Sequence, residues 1–159
     1  MRKVFFSFHY QRDIYRVNYV RNPQYYAGNY EIAGFWDGSI EETHPTYNNS
    51  QIKPLINTFL TGISVTVVLI GKCTYNRRWV LYEIKQSYRR NKGLLGIYIH
   101  KLRDENSYTD TKGDNPFYYI RGYNRKPLSY SVKTYDWFDD EAKYNIGDWI
   151  EEAALNAGR

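Results

Sequence analysis

The apolar run at residues 63–70 is the feature that most constrains the fold. It reads Ile-Ser-Val-Thr-Val-Val-Leu-Ile and is dominated by β-branched side chains. A strand with one face in water alternates apolar and polar residues, whereas this run is almost continuously apolar. Such strands are covered on both faces, as in a parallel sheet between two layers of helices.

Segments of strand and helix character alternate along the rest of the chain. Apolar runs at 4–8, 32–36 and 94–99 have the composition of strands, and 130–135 alternates like an edge strand. Amphipathic segments separate these runs, and right-handed crossovers place such helices on both faces of a sheet. The predicted fold class is therefore α/β, a three-layer doubly wound parallel sheet of about five strands, flavodoxin-like, in a single domain spanning 1–159.

The helix boundaries are predicted from capping signals. Asp13 is expected to cap the first helix and Asn76 the helix at 77–91, while Asn145 and Asp148 resemble a capping pair for the last helix. The second helix is expected to start at residue 50, and its apolar face follows i, i+3, i+4, i+7 spacing through Ile52, Leu55, Ile56 and Phe59.

Composition limits the classes of function without choosing among them. The chain has a formal net charge of +5, 18 tyrosines and one cysteine, Cys73. A basic, aromatic chain suits nucleic acid, through phosphate contacts and base stacking, and equally suits a dinucleotide. A lone cysteine excludes an internal disulfide and a cysteine-based zinc site. His9, His44 and His100 are too widely spaced to suggest a metal site, so none is expected.

Targeting signals and common catalytic loops are also not evident in the sequence. No apolar run approaches the ~20 residues needed to cross a bilayer, and the first residues lack the apolar core of a signal peptide. The protein is therefore expected to be cytoplasmic, without a membrane partner. Residues 69–73 lack the first glycine of a P-loop, and neither Gly-x-Gly-x-x-Gly nor Gly-x-Ser-x-Gly occurs.

The most informative residues for function follow the strongest strand. Trp79 and Glu83 are four apart and share one face of the predicted helix, while Val80 and Ile84 lie on the adjoining core face. This spacing predicts a carboxylate at the boundary between the core and a cleft, beside a large aromatic side chain. The alternative is an ordinary solvated glutamate on the surface of a helix.

Two segments carry a resemblance to a known family. Val-Phe-Phe-Ser-Phe at 4–8 resembles the opening strand of TIR domains, and Trp-Val-Leu-Tyr-Glu-Ile at 79–84 resembles their Trp-x-x-x-Glu helix. Together with 76–80, the strand at 64–71 and Asn-Pro-Phe at 115–117, the chain resembles the TIR-like proteins of bacterial Thoeris anti-phage systems.

The resemblance implies a flavodoxin-like fold and cleavage of NAD+ at the nicotinamide–ribose bond. The expected product is an ADP-ribose derivative, often cyclic, that diffuses to a partner effector protein after phage infection. NAD+ is then a substrate and no cofactor is implied. A phage-derived activator and self-association into a homo-oligomer are both compatible with this role.

The resemblance also implies a set of site residues. Glu83 takes the family's catalytic role, with a carboxylate that stabilises an oxocarbenium-like ribosyl cation. The expected substrate-binding residues are Phe6, Ser7, Phe8, His9, Asp37, Arg77 and Trp79.

Several of these assignments have alternatives. Phe6 and Phe8 share one face of the first strand and could simply pack in the core, with Phe5 and Ser7 on the other face. Either Arg12 or the pair Arg77 and Arg78 could hold the phosphates, and Asp37 could contact ribose or cap a turn.

Two other classes of function remain open at this stage. A non-catalytic TIR adaptor would act by protein–protein assembly through exposed aromatic surfaces. A nucleic-acid-binding module is favoured by charge and tyrosine content alone, and it ranks last because the sequence has no recognised binding motif.

Overall fold

A computed structural model describes residues 1–22, 30–35 and 49–159, and these residues form a five-stranded parallel sheet. The spatial order is β2-β1-β3-β4-β5, and every pair of neighbours is parallel. The strands are β1 (Arg2–Ser7), β2 (Tyr30–Phe35), β3 (Val65–Ile70), β4 (Gly93–Tyr98) and β5 (Thr134–Asp136). This is the flavodoxin-like order of a doubly wound sheet, so the predicted fold class is confirmed.

Two layers of helices cover the sheet. The helices are α1 (Tyr10–Val20), α2 (Asn49–Leu60), α3 (Arg78–Arg89) and α4 (Ala142–Asn156). One layer packs Val17 of α1 and Ile150 of α4 against β1, β3 and β4. The other layer packs Ile56 of α2 and Ile84 of α3 on the opposite face. Every residue of β3 is buried, as its continuous apolar sequence predicted.

The crossover from β4 to β5 contains short 3-10 turns at Pro116–Tyr119 and Leu128–Tyr130, and no α-helix occurs in this fully described segment. Phe117 and Leu128 are buried here with Ile84 of α3, so the turns complete the layer that α2 and α3 begin. A strand was predicted at 130–135, but β5 is shorter and begins later, because only the three residues of Thr134–Asp136 pair with β4.

The long polar segment that follows β4 is tied to α1 by Arg16. This side chain is 3% exposed, and its guanidinium donates hydrogen bonds to the carbonyls of Leu102 at 2.8 Å and Tyr108 at 3.1 Å. The guanidinium also lies 3.3 Å from the carboxylate of Asp13. One buried cation therefore holds the strap, which we define as residues 101–115, across the carboxyl edge of the sheet.

The predicted helix caps were wrong. The first helix begins at Tyr10, so Asp13 lies inside its first turn, and Arg77 rather than Asn76 occupies the cap of α3. α4 begins at Ala142, so Asn145 and Asp148 both lie within it. The Asn145 amide donates instead to the carbonyls of residues 140 and 141, because the turn before α4 leaves those acceptors within reach.

The apolar face predicted for α2 was half right. Ile52 and Ile56 are buried, whereas Leu55 and Phe59 are 38% and 41% exposed. Leu60 is buried in their place. The helix therefore packs through a narrower stripe than its composition suggested.

Candidate active site

The candidate site lies at the carboxyl ends of β1 and β3, which are neighbours in the sheet. The chain leaves β1 towards α1 and β2, and it leaves β3 in the opposite direction, towards α3 and β4. The two connections therefore diverge. In a doubly wound sheet such a divergence opens the crevice where ligands bind.

β1 presents alternate side chains to the two helical layers. Phe6 and Phe8 pack in the layer of α1 and α4, whereas Phe5 packs with Trp79 in the layer of α2 and α3. Ser7 follows Phe6 and is fully buried on the same side as Phe5. The predicted alternation is confirmed, and its consequence is that Phe6 and Phe8 face away from Glu83.

Glu83 is a buried carboxyl rather than a solvated surface residue. It lies one turn after Trp79 in α3 and is 1% exposed, which is deeper than the predicted rim of a cleft. The Ser7 hydroxyl donates a hydrogen bond to Oε2 of Glu83, because the small serine side chain allows α3 to approach the end of β1. Burial raises the pKa of Glu83 to about 8, and the hydrogen bond from Ser7 offsets part of that rise. Glu83 is therefore largely protonated at pH 7 in the free protein.

Trp79 forms a packed aromatic wall beside this carboxyl. Its ring is 6% exposed and meets Tyr82 edge to face, with 5.8 Å between ring centroids. The guanidinium of Arg78 lies 4.4 Å from the Trp79 ring centroid, in a cation–π arrangement. The indole N–H has no hydrogen-bond partner within residues 1–22, 30–35 and 49–159. Trp79 thus combines a mainly packing role with one available donor.

His9 and Arg77 are brought together across the crevice. His9 immediately precedes α1 and Arg77 immediately precedes α3, so each lies in a connection from a strand to a helix. Burial, followed by the positive charges of Arg77 and Arg12, lowers the pKa of His9 to about 4. Both ring nitrogens are enclosed and lack a hydrogen-bond partner in the described part of the chain. A neutral imidazole with unused hydrogen-bonding capacity therefore lies next to an exposed cation.

The structure distinguishes between the arginines considered for phosphate binding. Arg12 is engaged with Asp110 through two hydrogen bonds, from Nε at 3.0 Å and from Nη2 at 3.1 Å. Arg78 lies on the Trp79 ring. Arg77 is exposed and forms no ion pair with any described residue. Arg77 is therefore the cation best placed to receive an anionic ligand.

Two of the expected substrate-binding residues are not brought to Glu83, and a third lies outside the described residues. Phe6 is fully buried in the core, and Phe8 is 5% exposed and stacks on Tyr10 with 6.2 Å between ring centroids. Asp37 lies beyond the ranges that the structure describes.

Asp13 is a site-edge residue that the capping interpretation missed. Its carboxyl is fully buried, and burial raises its pKa to about 6 despite the nearby Arg16. A Cβ at position 71 would lie only 2.1 Å from Oδ2 of Asp13, so this packing requires Gly71 at the end of β3. The i, i+3 spacing of Asp13 and Arg16 was the available signal, because such a pair can be buried together on one helix face.

The described residues offer neither a metal-binding cluster nor a membrane-spanning helix. Among the described residues, no group of three or more histidine, cysteine, aspartate or glutamate side chains is arranged to hold a metal ion. In the same part of the chain, no helix combines the length and the apolar character required to cross a bilayer.

Comparisons with known proteins agree with the fold. Residues 5–104 match the family described as Thoeris protein ThsB, TIR-like domain. A protein of Bacillus cereus (strain MSX-D12), provisionally named cyclic ADP-D-ribose synthase ThsB1, is 38% identical over 160 residues. The similarity covers 96% of this chain and 83% of that relative. Because the family match covers more than half of the chain and the relative is 38% identical over nearly all of it, this chain belongs to the ThsB family of TIR-like Thoeris proteins.

Proposed function

We propose that this protein cleaves NAD+ at the nicotinamide–ribose bond and forms an ADP-ribose-derived, cyclic signal that activates an anti-phage effector. The observation that carries this proposal is the buried carboxyl of Glu83, fixed by Ser7 at the switch point of the sheet. Membership of the ThsB family and the name of the Bacillus cereus relative support it.

The chemistry requires little beyond one well-placed carboxylate. When the bond between ribose C1′ and the ring nitrogen breaks, the electron pair passes to the nicotinamide. The departing ring becomes neutral, so no strong general acid is needed. Positive charge develops on the ribosyl carbon, as in glycosidase transition states. A fixed carboxylate in a water-poor site stabilises that charge more strongly than one in bulk water.

Protonation of Glu83 links substrate binding to catalysis. A pKa of about 8 keeps the carboxyl mostly neutral in the free protein at pH 7. The cationic nicotinamide ring of a bound NAD+ would favour the ionised form, since a nearby positive charge lowers a carboxyl pKa. The substrate itself then promotes the carboxylate that the reaction needs.

The remaining residues are assigned according to their place in the site. Arg77 is proposed to bind the pyrophosphate, and neutral His9 to hydrogen-bond the ribose or the nicotinamide amide. Trp79 forms the wall beside Glu83, and Ser7 orients the carboxyl. Asp37 remains a predicted substrate contact, whereas Phe6 and Phe8 support β1 from the opposite layer.

The fate of the ribosyl cation decides the product. Attack by an adenine nitrogen of the same molecule closes a ring and gives a cyclic ADP-ribose. Attack by water, with loss of a proton, gives linear ADP-ribose. An enclosed site disfavours the second route, because closing a site around the reaction excludes water.

The test is nicotinamide release from NAD+ by the wild type, by Glu83→Gln and by the matched control Glu105→Gln, which makes the same change at an exposed loop residue. The same three proteins should be compared in phage-infected cells, where an activating trigger is present. We expect Glu83→Gln to lose at least about 100-fold of the activity, as for removal of one electrostatic transition-state contact. Full activity of Glu83→Gln in infected cells would contradict the assignment.

A further inference from the structure

A basic turn projects from the crossover between β4 and β5. We define it as residues 121–126, which carry Arg121, Arg125 and Lys126, all exposed. No acidic residue occurs between 115 and 133, and none of the three cations forms an ion pair with a described residue. Tyr123 stands among them and is 75% exposed.

The basic turn is held by hydrogen bonds within itself and to α3. The Gly122 N–H donates to the Lys126 carbonyl at 2.9 Å, and Nη1 of Arg121 donates to the Arg125 carbonyl at 2.6 Å. Its base is fixed to α3, since the Tyr123 N–H donates to the Tyr88 hydroxyl at 3.0 Å and the two rings lie 5.0 Å apart. A preorganised turn loses little conformational entropy when it binds a partner.

An acidic turn of similar construction follows β5. We define it as residues 136–141, which carry four carboxylates at Asp136, Asp139, Asp140 and Glu141. Two N–H groups, of residues 138 and 139, donate to Oδ1 of Asp136 at 3.0 Å.

Most of the negative charge of the acidic turn is not neutralised by the residues that the structure describes. Lys101 pairs with Asp136 and Asp139. Asp140 and Glu141 form no ion pair with any residue that the structure describes. Phe138 stands among the carboxylates and is 52% exposed.

The two turns lie at opposite edges of the sheet. The acidic turn begins at the carboxyl end of β5. The basic turn is fixed to Tyr88 in the last turn of α3, a helix that runs back to the amino end of β4. A six-residue strand separates these edges by roughly 20 Å, so the turns cannot neutralise each other within one molecule.

We infer that copies of this chain associate head to tail, with the basic turn of one copy docked on the acidic turn of the next. Each turn carries an exposed aromatic ring surrounded by charges of a single sign, and the signs are opposite. Tyrosine and arginine are the residue types that most often dominate interfaces. Because two different surfaces meet, each copy keeps one basic and one acidic turn free for a further copy. Neither turn contains a residue of the candidate active site, so this inference does not depend on the proposed function.

The test is sedimentation velocity of the nuclease-treated full chain at about 30 mM and about 300 mM salt, where screening of exposed charges differs strongly. The contact is small, so we expect weak self-association at low salt that falls at least about tenfold at high salt. Arg125→Glu with Lys126→Glu should abolish association, and so should Asp139→Lys with Glu141→Lys, since each places like charges opposite each other.

The decisive sample combines all four substitutions, which exchange the charges of the two turns and should restore association to within about threefold of the wild type. Two matched controls make the same charge changes at exposed residues elsewhere, Lys85→Glu with Arg89→Glu and Glu105→Lys with Asp148→Lys. Both controls should associate as the wild type does. A nuclease-treated wild type that stays monomeric at low salt would overturn the inference. So would association of either turn variant at the wild-type level, or failure of the combined variant to restore association.

Discussion

At the scale of single residues, the buried carboxyl of Glu83 determines how catalysis should depend on pH. The pKa of Glu83 in the free protein is about 8, and in the proposed reaction the ionised form is the one that would stabilise a ribosyl cation. We therefore expect kcat/KM for NAD+ to rise about tenfold per pH unit below pH 8 and to level off above it, because kcat/KM reports the free enzyme. Steady-state nicotinamide release between pH 6 and about 9.5 measures this profile.

Ser7→Ala provides the second half of that measurement. The hydrogen bond from Ser7 lowers the pKa of Glu83, so its removal should shift the rise in kcat/KM to higher pH. Ser7→Cys keeps a side chain of similar size with a weaker donor and serves as the control, with a profile between those of the wild type and Ser7→Ala. A profile that is flat with pH, or one that Ser7→Ala leaves in place, would show that Glu83 is not the titrating group.

Glu83 should also limit the stability of the fold. Its pKa is raised from 4.5 to about 8, so the folded state holds a proton that the unfolded chain releases between these pH values. The free energy of unfolding of the wild type therefore falls as pH rises through this window. Glu83→Gln lacks this effect and should become more stable than the wild type by about 1–3 kcal/mol near pH 9, with little difference near pH 4.5.

Urea unfolding of the two proteins at several pH values measures this difference. Glu105→Gln is the control, because residue 105 is exposed. A gap between Glu83→Gln and the wild type that does not grow with pH would contradict the buried, protonated state of Glu83.

Spacing along the sequence predicted some parts of the site and not others. The alternation of β1 and the four-residue interval between Trp79 and Glu83 are local patterns. As expected from them, the side chains of β1 alternate between the two helical layers, and Trp79 and Glu83 lie on one face of α3. The hydrogen bond between Ser7 and Glu83 joins residues 76 apart, so it depends on how closely α3 packs on β1. No pattern of neighbouring residues predicts how closely a helix packs on a strand.

At the scale of elements, the strap over the carboxyl edge requires close backbone contact. A Cβ at residue 113 would lie 2.2 Å from the carbonyl oxygen of Gly71, which cannot move without displacing the end of β3. We therefore expect Gly113→Ala to lower the free energy of unfolding by about 1–3 kcal/mol, as for other overpacked sites.

Gly147→Ala is the matched control for that prediction. Gly147 lies within α4, and its added Cβ would meet no atom within 4 Å. Alanine should raise stability there by about 0.5–1 kcal/mol, since glycine is the poorer helix former. Denaturant titration measures the free energy of unfolding of both variants. Equal stability of Gly113→Ala and the wild type would mean that the strap does not pack closely on β3.

The first residues of the helices were predicted less accurately than the presence of the helices. Periodicity identified α2, α3 and the last helix, because an apolar stripe is a property of consecutive residues. Caps depend on where the chain enters each helix, and these entries are fixed by tertiary packing. Asp13 is used to pair with buried Arg16, and the start of α4 follows a turn built on Asp136.

At the scale of the whole molecule, strand order determines where chemistry can occur. β1 and β3 are neighbours whose connections diverge, so Ser7 meets Glu83 and His9 lies near Arg77 although each pair is distant in sequence. The doubly wound order was predictable from alternating strands and helices. The 3-10 turn at Leu128–Tyr130 and the exposed basic turn before it were not predicted.

A mass spectrum of small molecules from phage-infected cells tests the catalytic role of Glu83 most directly. Cells should carry the wild type, Glu83→Gln or Glu105→Gln at equal protein levels. We expect an ADP-ribose-derived product and loss of NAD+ with the wild type and with Glu105→Gln, and neither with Glu83→Gln. The same product at the same level in cells that carry Glu83→Gln would show that the buried carboxyl is not the catalytic group.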